Sequence, residues 1–386
     1  PEPPEPESDA PSIAGSDHTL APDADGTLWT WGHNEYGQLG NGTTVASTTP
    51  VSVTDVAERG VRITGVAAGT NHSVALDEHG TIWTWGKNEY GQLGTGTNVD
   101  STTPVSVTDL PSPDTPMTHV AAGPFRTFAL DRDGHLWAWG YGPNGSVGTG
   151  TPGTYIFTPV SLTDGTWPGP GVSITDVAAG GSFSLALDAT GTVWAWGANK
   201  GGQLGTGGAY GESLAKVSVT DLAAAGARIT RIAAGHEHAL ALDADGTVWT
   251  WGTGYRGQLG NGETAIRTTP VSLTDWPGGP VRITDVAAGR VHSLALDVQG
   301  RLWAWGYNDD GQLGDGTTVQ RTTPVRVSVT DASGAGVSIT DLAAGTYHSL
   351  ARDRDGHLWT WGRNDKGQRG DGTTAPSSVP RRVPLP

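Results

Sequence analysis

The stretch WTWGHNEYGQLGNGTT, Trp29 to Thr44, returns almost word for word as WTWGKNEYGQLGTGTN from Trp83. The first Trp of a W-[TA]-W-G phrase falls at Trp29, Trp83, Trp137, Trp194, Trp249, Trp303 and Trp359, at intervals of 54 to 57 residues. Fourteen of the 16 Trp belong to these pairs, and only Trp167 and Trp276 lie outside them. A period of this length marks a repeat architecture in which each copy is one supersecondary unit.

Working outward from the phrase, each unit reads roughly V-A-A-G-x-x-H-S-L-A-L-D-x-x-G-T-L-W-T-W-G-x-N-x-x-G-Q-L-G-x-G, then T-T-P-V-S-V-T-D. The segments are short, rich in Val, Leu, Thr and Trp, and punctuated by Asp and Gly, which is the pattern of strands and turns. Four strands are expected per unit: V-A-A-G, S-L-A-L, L-W-T-W and P-V-S-V. Asp25-Gly26, Asp133-Gly134, Asp245-Gly246 and Asp355-Gly356 read as tight hairpin turns. A four-stranded meander repeated seven times predicts an all-β, seven-bladed β-propeller over residues 12–386, one antiparallel blade per repeat. Small Ala-Ala-Gly residues suit the crowded strand near the axis. The two Trp of W-x-W share one sheet face and are expected to bury against the next blade. The glycines of G-Q-L-G are expected to supply positive φ or close backbone approach. Residues 1–11, PEPPEPESDAP, read as a disordered Pro- and acid-rich stub.

Composition bounds the function. The net charge of −16 disfavours a nucleic-acid surface, which needs a basic patch. No apolar run approaches the roughly 18 residues of a membrane-spanning helix. The absence of cysteine excludes disulfides, thiolate metal sites and cysteine nucleophiles. No phosphate loop, calcium loop or G-x-S-x-G appears, and no cofactor is expected.

The signature G-x-x-H-S-L-A-L-D-x-x-G-x-[LV]-W-x-W-G-x-N-x-x-G-Q-L-G resembles the regulator of chromosome condensation repeat family, over residues 12–386. The resemblance implies a seven-bladed propeller, in agreement with the count above. It implies no single activity, because one scaffold hosts unrelated functions. The family's nucleotide-exchange factor binds a small GTPase and nucleosomes, a chromatin role at odds with this acidic chain. Its plant ultraviolet-B photoreceptor carries Trp in G-W-R-H-T loops. The loops here are GSDHT, GTNHS, GPFRT, GGSFS, GHEHA, GRVHS and GTYHS, without Trp. The propeller-type β-lactamase inhibitors, which contact their target through loop aromatics, are similar in the A-G-x-x-H-S loops.

Strand alternation places the G-x-x-H and W-G-x-N-x-x-G loops on one face, with the D-x-x-G turns and S-V-T-D linkers opposite. On the loop face, the positions that vary between copies hold Phe125, Tyr347, Tyr36, Tyr90, Tyr141, Tyr255, Tyr307, Arg363 and Glu237. Tyr and mixed charge are the composition of a protein-binding surface. The five His at the G-x-x-H position, His18, His72, His238, His292 and His348, read as structural hydrogen-bonders. His236 and His238, two residues apart, are the weak candidates for a metal. The expectation is a monomeric, non-enzymatic binding scaffold for a protein or peptide, extracellular or at the cell surface, with the cytoplasm as alternative. A second reading places an enzyme active site in the axial mouth.

Overall fold

The period-two alternation within each repeat becomes a four-stranded meander. The computed structural model describes residues 13–385 apart from 54, 55, 57–59, 109, 111–114, 164–166, 168, 170, 209, 210, 220, 221 and 223–225, and so leaves out the Pro-rich residues 1–12. Its strands form seven antiparallel four-stranded sheets, each in simple chain order. Blade 4, for example, consists of Ile174–Ala179, Phe183–Asp188, Val193–Ala198 and Glu212–Ser218. The first strands of successive blades lie side by side around a central axis. The Gly of Ala-Ala-Gly is required by the side chain behind it, since a Cβ on Gly69 or Gly235 would collide with the His72 or His238 ring.

The D-x-x-G turn is held by its Asp. Asp188 accepts the Thr190 and Thr192 amides on Oδ1 and the Trp194 indole N–H on Oδ2 at 2.8 Å. The same Asp–Trp bond recurs in all seven blades. In blade 1, three residues lie between Asp23, whose amide donates to the Thr27 carbonyl, and that Thr, the last of them a glycine in the left-handed region, Gly26 at φ 82°.

The quoted phrase is a joint between blades. Trp85 of blade 2 donates from Nε1 to the Gln38 carbonyl of blade 1 at 2.8 Å, and Ser73 Oγ donates to the same oxygen at 2.7 Å. His18 Nε2 lies 2.7 Å from Ser73 Oγ. Since the hydroxyl gives its proton to the carbonyl, the imidazole is the donor to Ser73 and carries its proton on Nε2. Gly40, at φ 68°, lies beneath the indole, and a Cβ there would sit 2.8 Å from Trp85 Nε1. The G-Q-L-G glycine thus supplies both positive φ and close approach. The tryptophan leans on the preceding blade, not on the following one as the sequence suggested. The second Trp of every pair is fully buried in this way.

Five joints repeat the arrangement with His18, His72, His238, His292 and His348. Between blades 3 and 4, Arg126 takes the histidine's place and donates from Nε to Ser184 Oγ at 3.2 Å. Between blades 4 and 5, Phe183 faces Ala239, so the acceptor is removed together with the donor.

The ring closes through the same joint. Trp31 and Thr19 of blade 1 donate to the Gln368 carbonyl of blade 7 at 2.9 and 3.0 Å. Arg352 adds a bond to the Pro22 carbonyl at 2.8 Å. No strand is exchanged, because blade 1 is built from Ala14–Ser52 and blade 7 from Ile339–Arg382. Trp167 and Trp276, the two outside the repeat phrase, fill the edge of this core. Trp167 meets Trp194 and Trp196 edge-on at 5.8 and 6.0 Å, and Trp276 meets Trp303 and Trp305 at 5.4 and 6.1 Å.

Candidate interaction face

The loop face is rigid because its long loops are knotted by a buried Asn. Asn34 accepts the Leu39 amide on Oδ1 and donates to the Thr43 and Val45 carbonyls. Asn88, Asn308 and Asn364 do the same in blades 2, 6 and 7. The residues between these anchors are free to vary, and they carry the candidate site.

The structure sorts the candidate residues into two groups. Over blades 2 and 3, Tyr90 packs edge-on to Phe125 at 5.0 Å and stacks on Tyr141 at 5.5 Å. Tyr155 stacks on both Tyr90 and Tyr141, at 5.9 and 5.0 Å, and Phe157 continues the group at 6.4 Å. Lys87 bridges from this group to Tyr36, its ammonium 4.8 Å from the Tyr36 ring and 5.4 Å from Tyr90, while pairing with Glu89 at 2.8 Å. The Glu89 carboxylate, through that hydrogen bond, raises the Lys87 ammonium above its ordinary value.

Over blades 5 to 7 the second group is made of tyrosines under arginines. Tyr307 and Tyr347 meet at 5.9 Å, Arg256 lies over Tyr307, and Arg290 and Arg363 lie over Tyr347. Arg363 pairs with Asp365 at 2.7 Å, and a cleft of about 450 Å³ opens between Tyr307, Tyr347, Arg363 and Asp310. Burial pushes the Asp310 carboxyl up, against the pull of Arg363. Tyr255 and Glu237 stand apart from both groups, exposed to solvent.

Sequence reasoning missed Tyr155 and Phe157. Phe157 replaces the first Thr of the phrase that four other copies read as S-T-T-P-V or R-T-T-P-V, and Tyr155 stands just before it, so the departure itself was the available signal. It also missed Val45, Val99 and Val319, at the tips of the G-x-G-x-x loops. Six large apolar side chains are 50% to 72% exposed among the described residues, and five of them, Val45, Val99, Tyr155, Tyr255 and Val319, are on this face. The sixth, Val298, is on a turn of the opposite face.

The axis opens on the loop face as a funnel of about 230 Å³, walled by the Ala-Gly pairs of the first strands. Its charged or titratable lining residues are Asp17, His236 and Arg290. His238 is not part of it. That ring is fully buried in a joint, bonded to Ser293 at 3.0 Å, and burial lowers its pKa to about 3. His236 and His238 therefore belong to different environments. Among the described residues, the group of possible ligands whose atoms lie within 4.8 Å of one another is Asp353, Asp355 and His357, on the opposite face. There Asp353 is already spent on the turn amides and Trp359.

At the other end of the axis, Asp176, Arg231, Asp285 and Asp341 come from consecutive first strands. Arg231 Nε lies 3.6 Å from Asp285. Burial pushes Asp176 up to about 6, and burial reinforced by Asp285 pushes Asp341 up to about 7.

Comparisons with known proteins agree with this architecture. The model of the RCC1-like domain matches residues 157–386, and that of the regulator of chromosome condensation (RCC1) repeat matches residues 25–76 and 79–130. The ultraviolet-B receptor UVR8 of Arabidopsis thaliana is 28% identical over 96% of this chain and 80% of its own length. The mitochondrial RCC1 domain-containing protein RUG3 of the same plant is 34% identical over 79% of this chain and 67% of its own length. Human E3 ubiquitin-protein ligase HERC2 is 31% identical over 95% of this chain, which spans 7% of that protein. Among solved structures, Prp20p of Saccharomyces cerevisiae, described with its binding to Gsp1p and histones, superposes with a TM-score of 0.79 at 24% identity, covering 95% of this chain and 88% of that one. With the repeat phrase, its seven blades and these matches together, the chain belongs to the RCC1-repeat family.

Proposed function

We propose that the protein is a non-enzymatic binding module that recognises a protein or peptide partner through its loop face. One observation carries the reading: five of the six most exposed large apolar side chains among the described residues are on that face, which also bears two aromatic groups that the repeat itself does not require. Monomeric soluble proteins rarely gather apolar surface without an interaction to cover it. Aromatic and Arg side chains are the usual anchors of such interfaces. The family supports the same view, since Prp20p is described with its binding to Gsp1p and histones and yeast RCC1 as bound to Kap60.

The test compares affinity capture by the wild type with capture by Phe125→Ala and Tyr155→Ala, using Val298→Ala on the opposite face as control. A specifically retained protein should be lost from both loop-face variants and kept by the control. Retention by all three, or loss from the control alone, would place the interaction elsewhere.

A further inference from the structure

Six of the seven joints put a neutral side chain at the position after G-x-x, and one puts a cation there. Arg126 is fully buried and makes no ion pair with a carboxylate among the described residues. Its guanidinium donates to Ser184 Oγ, to the Gly181 carbonyl at 3.1 Å and to the Gly180 and Phe183 carbonyls. Burial alone lowers its pKa to about 9. A buried charge without a counter-ion is costly even when hydrogen-bonded and set over the Phe128 ring, and the fold has less costly solutions at the same place. Histidine bonds to the same Ser or Thr in five joints, and Phe183 does without any bond. The joint therefore does not need the charge.

The guanidinium lies directly behind the wall of the axial funnel. Gly123, Gly180 and Gly181 line the funnel, and Arg126 bonds to the last two. An added Cβ on Gly123 would lie 3.0 Å from Arg126 Cζ and Nη1, so the bare glycine is what lets the guanidinium pack directly against the back of the funnel wall. Arg290 adds a second cation on the lining itself. Asp17, the lining carboxylate, lies in the field of Arg363 on the rim.

We propose that the axial funnel is a carboxylate-binding site, with Arg126 behind its glycine wall and Arg290 on its lining attracting one anionic group. That group is either a free small carboxylate or an acidic side chain or C-terminus of a partner. The second source rests on the loop-face reading above, and the first is independent of it.

The test uses 19F line broadening of fluoroacetate by the full chain, at ionic strength fixed with sodium chloride. Wild type should broaden the line, acetate should reverse it, and acetamide should not. Arg126→His installs the side chain used in five other joints, so it should fold, and it should weaken binding at least tenfold. Arg126→Met should do the same, and Arg290→Gln should weaken it several-fold. Arg228→Gln, exposed on the opposite face, should change nothing. Competition by a short peptide acid but not by its amide would assign the site to partner carboxylates, and competition by acetate alone to a free ligand. The proposal is overturned if wild type broadens fluoroacetate no more than trifluoroethanol, or if the folded Arg126 variants bind as wild type does. Should neither Arg126 variant fold, undiminished binding by Arg290→Gln overturns it. Because no partner is used, failure here leaves the loop-face reading standing.

Discussion

The joints between blades and the loops above them use the same repeat in opposite ways. In the joints, loss of the donor is matched on the other side: where His gives way to Phe183, the facing hydroxyl gives way to Ala239, whereas Arg126, still a donor, keeps Ser184. In the loops, Pro124-Phe125, Arg290-Val291 and Thr346-Tyr347 stand at equivalent positions with no residue type in common. Paired change marks positions that packing dictates. Unpaired change marks positions that packing leaves open.

Four experiments break or sharpen this contrast, taken from the largest effect expected on the fold to the smallest. Acid should act on all five His joints together. Burial lowers His18, His72, His238 and His292 from 6.5 to about 3 and His348 to about 4. Their contribution is complete above the unfolded value and is lost as pH falls through the folded ones. Asp176 and Asp341 work the other way, since their raised values favour the fold below about 4 and lose that effect as pH rises through 6 to 7. Five sites outweigh two, so the melting temperature should fall between pH 7 and pH 4. A flat or rising profile in that range would mean that the imidazoles are not confined as described.

Next in size, Trp196→Ala removes a fully buried indole and its bond to the Ser146 carbonyl, and should cost about 3–5 kcal/mol in denaturant titrations. A loss below about 1 kcal/mol, an ordinary surface effect, would contradict the joint. Smaller again is the pair His238 and Ser293. Ser293→Ala alone strands the His238 Nε2–H and should cost about 1–3 kcal/mol, whereas His238→Phe alone leaves Ser293 donating to the Gln258 carbonyl and should cost about 1 kcal/mol. The double change copies the Phe183–Ala239 joint and should cost less than the sum of the singles. Additive costs would show that the matched substitution is coincidence.

Smallest on the fold, Phe125→Ala and Tyr155→Ala should shift stability by about 0.5 kcal/mol, as surface changes do. On binding to a captured partner they should cost about 2 kcal/mol or more. The contrast collapses if these variants unfold the protein while leaving binding intact.

Much of the fold was legible because seven copies show what is obligatory. Strand number, turn positions, blade count and the structural role of the five His all follow from that repetition. The direction in which Trp85 leans was not legible, since W-x-W shows only that both rings share one face. Nor was the packing of Trp167 on Trp194 and Trp196. Trp167 lies in the variable stretch between blades 3 and 4, and nothing in its sequence context indicates that its ring packs on the core. The candidate site was half legible. Loop positions identified Phe125, Tyr90 and Tyr141, whereas Tyr155 arrives from the fourth strand and joins them only through the meander. The charge on Arg126 was visible, but its place behind the funnel wall required the ring.

The closing joint sets an order of events during synthesis. Every other blade docks its tryptophan on a carbonyl that the ribosome has already made, as Trp85 does on Gln38. Trp31 is the exception: its acceptor, the Gln368 carbonyl, follows it by 337 residues. Blade 1 must therefore wait with that indole uncovered while the other six are translated. Until blade 7 arrives, the nascent chain presents one sticky end, and a chaperone or a second nascent chain has only that interval in which to find it.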